Sequence, residues 1–255
     1  MKGAIYQQIY ETLKDFSPKS NEEFEEEIQY WRSYSERFKK DKHFFELLVE
    51  AIHHSGMKST TVNARWPYIK TVLGDYTKVI DFDESKIQEI LNDHKMIRHE
   101  GKIRAIVRNA HVFKELVSEF GSFKGYLDHH GFRTDAWDEK MDRLFRDLRS
   151  RFDYVKSITT YHFLMDIGAF TAKPDRQVVA LLDQLGLLDK ENKQRSTISV
   201  CRQMAEEANE NIRVVDIVLV NMRQASEFGL LSPICRTGCK KCQVRRLCRI
   251  PNDDY

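Results

Sequence analysis

Glycine, proline and long apolar runs are all in short supply. With 11 glycines, 5 prolines and no Asn-Gly or Asp-Gly pair, the 255-residue chain lacks the turn chemistry of a hairpin-rich β protein. No apolar stretch reaches the roughly 18 residues that a bilayer-spanning helix needs. Lys2, Glu11, Lys14 and Asp15 interrupt the N-terminal segment. Neither a transmembrane span nor a secretory signal is therefore expected. Only 5 cysteines are present, four crowded near the C-terminus and Cys201 alone. That distribution argues against a secreted disulfide framework and suits metal ligation in a reducing compartment. The net charge is +2, so charge matters only locally: Glu22, Glu23, Glu25, Glu26 and Glu27 form an acidic segment, and the tail after Cys235 is basic.

What is there is helical periodicity. Phe44, Leu47, Leu48, Ala51 and Ile52 recur at three- and four-residue steps, as do Ile103, Ile106, Val107, Ala110 and Phe113. This spacing predicts an all-α protein. Residues 178–188 and 214–222 are more uniformly apolar and read as buried helices or short strands. Breaks are predicted at 16–21, 55–61, 132–137, 172–174, 191–196 and 229–233.

Cys235, Cys239, Cys242 and Cys248 follow the pattern Cys-x3-Cys-x2-Cys-x5-Cys, with Arg236, Lys240, Lys241, Arg245 and Arg246 between them and Arg249 just beyond. Four thiolates satisfy a tetrahedral zinc ion and equally a [4Fe–4S] cube. Only one Cys-x2-Cys pair is present, whereas zinc sites often combine two, and the gap before Cys248 leaves room for the larger group. A [4Fe–4S] cluster is the expected cofactor, with structural zinc as the alternative. Either could stand in for the hydrophobic core that a short tail lacks. The surrounding positive charge suits a polyanion.

Residues 154–168 read as a helix stopped by Gly168, and 169–174 as a turn. Pro174 suits the opening of the next helix. Asp175 would then cap that helix or face a cleft between helical layers. At the start of the preceding helix, free backbone amides beside Lys156 and Ser157 could grip a phosphate. Arg98 and Lys102, four apart on one face, could also touch phosphate; a solvated helix face explains them equally.

Three segments, in this order along the chain, resemble the helix-hairpin-helix DNA glycosylase superfamily. Ile97-Arg-His-Glu-Gly-Lys-Ile103 is similar to a run of 3-methyladenine-DNA glycosylase I, whose base-reading glutamate would fall at Ala51, one residue beyond Glu50. Lys173-Pro-Asp-Arg-Gln-Val178 resembles the turn that delivers the catalytic aspartate, with Asp175 in that place and Gln177 where histidine is common. Cys239-Lys-Lys-Cys242 followed by Cys248 is similar to the iron–sulfur loop of the endonuclease III and MutY branch, with three residues instead of six between the first two cysteines. Residues 153–156 stand where the superfamily has the Gly-x-Gly of its hairpin.

The resemblance implies two helical subdomains flanking a DNA-binding cleft, with a C-terminal metal-cluster loop. Residues 1–55 would pack with the C-terminal subdomain, 56–174 would form a helical barrel with its hairpin near 148–168, and 175–255 would carry the cysteine cluster at 235–248. It also implies a monomeric enzyme that hydrolyses the N-glycosidic bond of a damaged or modified, alkylated base flipped out of double-stranded DNA. Asp175 would be catalytic. Glu50, His53, His54, Met57, Tyr154 and His162 would form the base pocket, and Lys156, Ser157, Arg98 and Lys102 would contact phosphate. Ser157 falls where bifunctional members carry a Schiff-base lysine, so hydrolysis without lyase activity is expected. A glycosylase with lyase activity on oxidised pyrimidines and a non-catalytic DNA-binding protein are the alternatives. The expected location is the cytoplasm, associated with the nucleoid in a prokaryote, with no membrane partner.

Overall fold

Every regular element in the computed structural model, which describes residues 1–224 and 228–249, is helical. The chain begins with α1 (Lys2–Phe16) and α2 (Asn21–Arg32). Next come α3 (Asp41–His54), α4 (Ser59–Leu73), α5 (Tyr76–Val79), α6 (Glu84–Asn92), α7 (Glu100–Phe120) and α8 (Phe123–His129). A short loop joins α9 (Glu139–Arg151) to α10 (Ser157–Asp166). Then follow α11 (Arg176–Gln184), α12 (Lys193–Ala208), α13 (Ile212–Arg223) and α14 (Ile234–Thr237). The all-α expectation holds; the apolar run 214–222 lies in α13, and 178–188 begins in α11 and continues past its end at Gln184. No helix among the described residues is long and apolar enough to cross a membrane.

Helix starts are written locally. Ser20 and Glu23 form a reciprocal capping box at α2, while Asp83, Asp138 and Asn192 accept first-turn amides at α6, α9 and α12. Gly121 ends α7 at φ +77°, a left-handed conformation that costs glycine little.

Contacts divide the chain into one unit of Met1–Tyr34 with Phe170–Tyr255 and a second of Ser35–Ala169. The sequence reading placed these boundaries after 55 and 174. Residues 35–55 instead group with the second unit, because α3 packs against α4, α7, α8 and α10.

The first unit is built around α13, whose residues 214–222 are all buried. A helix buried on every face must be surrounded, and α1, α2, α11, α12 and α14 surround it. In the second unit, α7 takes the central role against α3, α5, α6 and α8. Its Phe113 stacks on Phe123 at 4.4 Å and 12°, and meets Phe45 edge-on at 5.3 Å.

Candidate active site

The turn before α11 is held on both sides of one residue, Lys173. Lys173 N–H donates to Asp216 Oδ1 at 3.0 Å, and Lys173 C=O accepts the N–H of Asp175 at 2.8 Å. Pro174 lies between, with its φ fixed by the ring. Asp175 caps α11: Oδ1 accepts Gln177 N–H at 2.8 Å and Val178 N–H at 3.1 Å. Oδ2 lies 3.8 Å from Lys173 Nζ, and the side chain keeps 22% of its exposure. One oxygen therefore builds the helix end and the other faces a partly open environment.

Asp216 itself is buried in α13, and desolvation pushes its carboxyl up to about 6 against the opposing pull of Arg213. Arg213 Nη1 donates to Asp216 Oδ2 at 3.3 Å, and its guanidinium lies over Trp31 and Tyr34 at 4.6 and 5.3 Å. Sequence reasoning saw α13 only as a buried helix and missed this carboxylate. An acid inside the apolar run at 214–222 was the signal that could have found it.

Farther along α11, Leu181 and Leu185 line a cavity with Met222 and all four clustered cysteines, Cys235, Cys239, Cys242 and Cys248. None is in a disulfide. Burial pushes the Cys235 thiol up to about 12, eased by Arg223 and reinforced by Cys242, Cys248 and Cys239. Four sulfur donors around one cavity are soft ligands, and this donor set fits a soft metal group. Among the described residues, no three His, Cys, Asp or Glu side chains are gathered closely enough to hold a single metal ion.

In the second unit, α9 and α10 are joined by the loop where the hairpin was expected. Asn109, buried in α7, donates its amide to Asp153 C=O at 2.9 Å and accepts Asp153 N–H at 2.7 Å. Sequence reasoning missed this clamp too, although Asn109 interrupts an apolar face. Tyr154 adopts φ +62° in the same loop. Its ring meets His99 edge-on at 5.9 Å, and its hydroxyl would lie 2.5 Å from any Cβ added at Gly101. Beyond it, Lys156 is exposed and Ser157 is half-buried at the start of α10, where Lys156 contributes no side-chain cap. The first amides of α10 precede its first helical bond, Thr160 N–H to Lys156 C=O.

Of the base-pocket candidates, His54 and His162 come together, with rings edge-on at 5.3 Å. His162 Nε2 lies 3.2 Å from the buried Asp166 Oδ2, a partner four residues on that sequence reasoning overlooked. Glu50 is half-buried one turn before His54, and Met57 is half-buried just beyond α3. Arg98 is exposed before α7.

Two expectations need correction. His53 is 0% exposed: its Nδ1 is 2.8 Å from Val49 C=O, and burial lowers its pKa to about 4, so the ring is neutral and turned into the interior. It offers no surface to a base. Lys102 is 2% exposed and not on a solvated face. Its ammonium donates to His53 C=O at 2.8 Å and Ser55 C=O at 2.5 Å, closing the C-terminus of α3, where the helix dipole favours a cation. Burial lowers its pKa to about 8. Lys102→Met leaves both carbonyls without this donor, and urea denaturation should show a loss of about 2–3 kcal/mol.

A sequence model described as methyladenine glycosylase matches residues 22–178, more than half of the chain. The match contains Asp175 and stops before the cysteines. Two solved structures are similar. A 3-methyladenine DNA glycosylase I shares 21% identity over 51% of this chain and 79% of its own, with a TM-score of 0.44. A glutamate-to-glutamine mutant of 3-methyladenine DNA glycosylase I from Staphylococcus aureus shares 22% over 51% of this chain and 77% of its own, with a TM-score of 0.45. On the strength of the 22–178 match, the chain belongs to the methyladenine glycosylase family and is a DNA N-glycosylase.

Proposed function

We propose that the chain hydrolyses the N-glycosidic bond of an alkylated base extruded from double-stranded DNA, with Asp175 as its catalytic carboxylate and the four cysteines holding an iron–sulfur cluster. The observation that carries the first part is the division of labour within Asp175. Oδ1 is fixed by two backbone amides, while Oδ2 accepts none of them and lies 3.8 Å from Lys173 Nζ on a side chain that keeps 22% of its exposure. An anion so fixed needs no reorganisation when C1′ becomes positive as the base departs, so it stabilises the transition state more than the neutral ground state. Ring-alkylated bases already carry positive charge and leave without prior protonation, so the catalytic carboxylate need not be accompanied by a general acid.

Extrusion costs a few kcal/mol, less for a damaged base. Lys156, Ser157 and Arg98 with the first amides of α10 are the phosphate contacts that would offset it. Glu50, His54, Met57, Tyr154 and His162 remain as the base-contacting set. Serine at 157 supports hydrolysis over Schiff-base chemistry. The enzyme acts as a monomer in the cytoplasm or on the nucleoid.

Cys235, Cys239, Cys242 and Cys248 would hold a [4Fe–4S] cluster, in the manner of the endonuclease III and MutY branch. What supports this reading is their residue type and spacing, together with the cavity that all four line. When bound, the cluster supplies a covalent tie between four positions of a short tail.

A single-turnover screen over alkylated, deaminated and oxidised bases tests the activity. Release of alkylated bases, with no covalent complex trapped by borohydride, is expected. A trapped complex would favour the lyase reading, and tight binding without release of any base would favour a non-catalytic one.

A further inference from the structure

We infer that Asp216 is the positioning residue of the catalytic turn, holding the Lys173 N–H so that Asp175 presents its second oxygen at a fixed place. The inference rests on Asp175 being the catalytic carboxylate, and it concerns a residue in a different helix that no family motif assigned.

Three observations carry it. First, Asp216 is a buried carboxylate within the otherwise apolar segment 214–220 of α13. Exchanging a whole buried ion pair for well-packed apolar side chains is often neutral or stabilising, so stability alone does not account for the Asp216–Arg213 pair. Second, its Oδ1 accepts the one backbone donor that governs the turn. Lys173 gives its N–H to Asp216 and receives the N–H of Asp175 on its C=O, so the backbone of one residue links the two carboxylates across Pro174. Displacing that backbone must displace Asp175. Third, Asp216 is itself prevented from swinging. Oδ2 pairs with Arg213, whose guanidinium lies over Trp31 and Tyr34. A second clamp acts upstream, where Arg202 Nε donates to Phe170 C=O at 2.8 Å at the entry to the turn. The path from the aromatic pair to Asp175 runs through contacts within one unit.

An error of about 1 Å in a catalytic group can cost on the order of 100-fold in rate. Asp216→Ala is therefore expected to lower the single-turnover excision rate on alkylated duplex DNA about 100-fold, with duplex affinity within about threefold of wild type. Asp216→Asn keeps an oxygen acceptor for the Lys173 N–H and should restore the rate to within about tenfold of wild type. A role limited to stability would move thermal unfolding without this separation of rate from affinity and without rescue by asparagine. If Asp216→Ala does not fold, Asp216→Glu decides the matter: a folded variant with the acceptor displaced by one methylene should lose at least about tenfold in rate. A wild-type rate in the alanine variant, or in the glutamate variant where alanine does not fold, overturns the inference. Asp175→Asn serves as the separate control. If it excises normally, the catalytic assignment fails; if it is inactive while the Asp216 variants excise normally, only the positioning role fails.

Discussion

Asp175→Asn should lower the single-turnover excision rate about 1,000-fold while leaving affinity for lesion DNA within about threefold. The substitution isolates charge from shape. Asparagine is as good an N-cap as aspartate, and its side-chain oxygen can still accept Gln177 N–H and Val178 N–H as Asp175 Oδ1 does. The helix end and the turn therefore survive, and thermal unfolding should move little. What disappears is the negative charge on the second oxygen, the part that interacts with the transition state and not with the resting sugar. Alanine would confuse matters, because it also removes the cap, at about 0.5–2 kcal/mol. Excision by Asp175→Asn at the wild-type rate, with enzyme in excess over DNA, would remove this carboxylate from the chemistry.

The second large effect concerns the tail. Cys239 is buried where the other three thiols share its cavity. Cys239→Ser should abolish absorption near 400 nm and reduce bound iron from about four per chain to a small residue. It should also lower the melting temperature of the first unit by about 10 °C, the shift produced by roughly 2 kcal/mol in a domain of this size. The reason is geometric. Leu181, Leu185 and Met222, from α11 and α13, line the same cavity, so a collapsed tail exposes part of the unit's core. Iron-free protein with unchanged stability would show that the four thiols serve something else, and one tightly held zinc per chain would favour the simpler metal.

How much of this was legible in the sequence depended on whether the deciding interaction was local. The capping role of Asp175 follows from Pro174 and the apolar residues after it, all within a few positions. The cysteines announced themselves by type and spacing. The all-α fold followed from periodicity and scarce turn residues. Lys102 and His53 were misplaced for the same reason as each other. Arg98 and Lys102 are four apart and look like one charged face, but Lys102 is buried because α3 ends beside it, with partner carbonyls 47 and 49 positions away. His53 lies between buried Ile52 and half-buried His54, and only the packed register decides which way its ring turns. Asp216 and Asn109 stand out as polar residues in apolar runs, but their partners were hidden for the complementary reason. Each bonds to the backbone of a turn more than forty residues away, and backbone partners leave no trace in residue identity.

Tyr154 holds a backbone conformation that L-residues avoid, at a cost on the order of 1 kcal/mol. Its hydroxyl fills the space that a methyl group at Gly101 would need. A glycine within the first turn of a long helix is therefore tied to an aromatic ring 53 positions later. Neither can be exchanged freely without the other giving way, so during divergence the pair would be inherited together or remodelled together, and the hairpin loop would carry the shape of a helix remote from it in sequence.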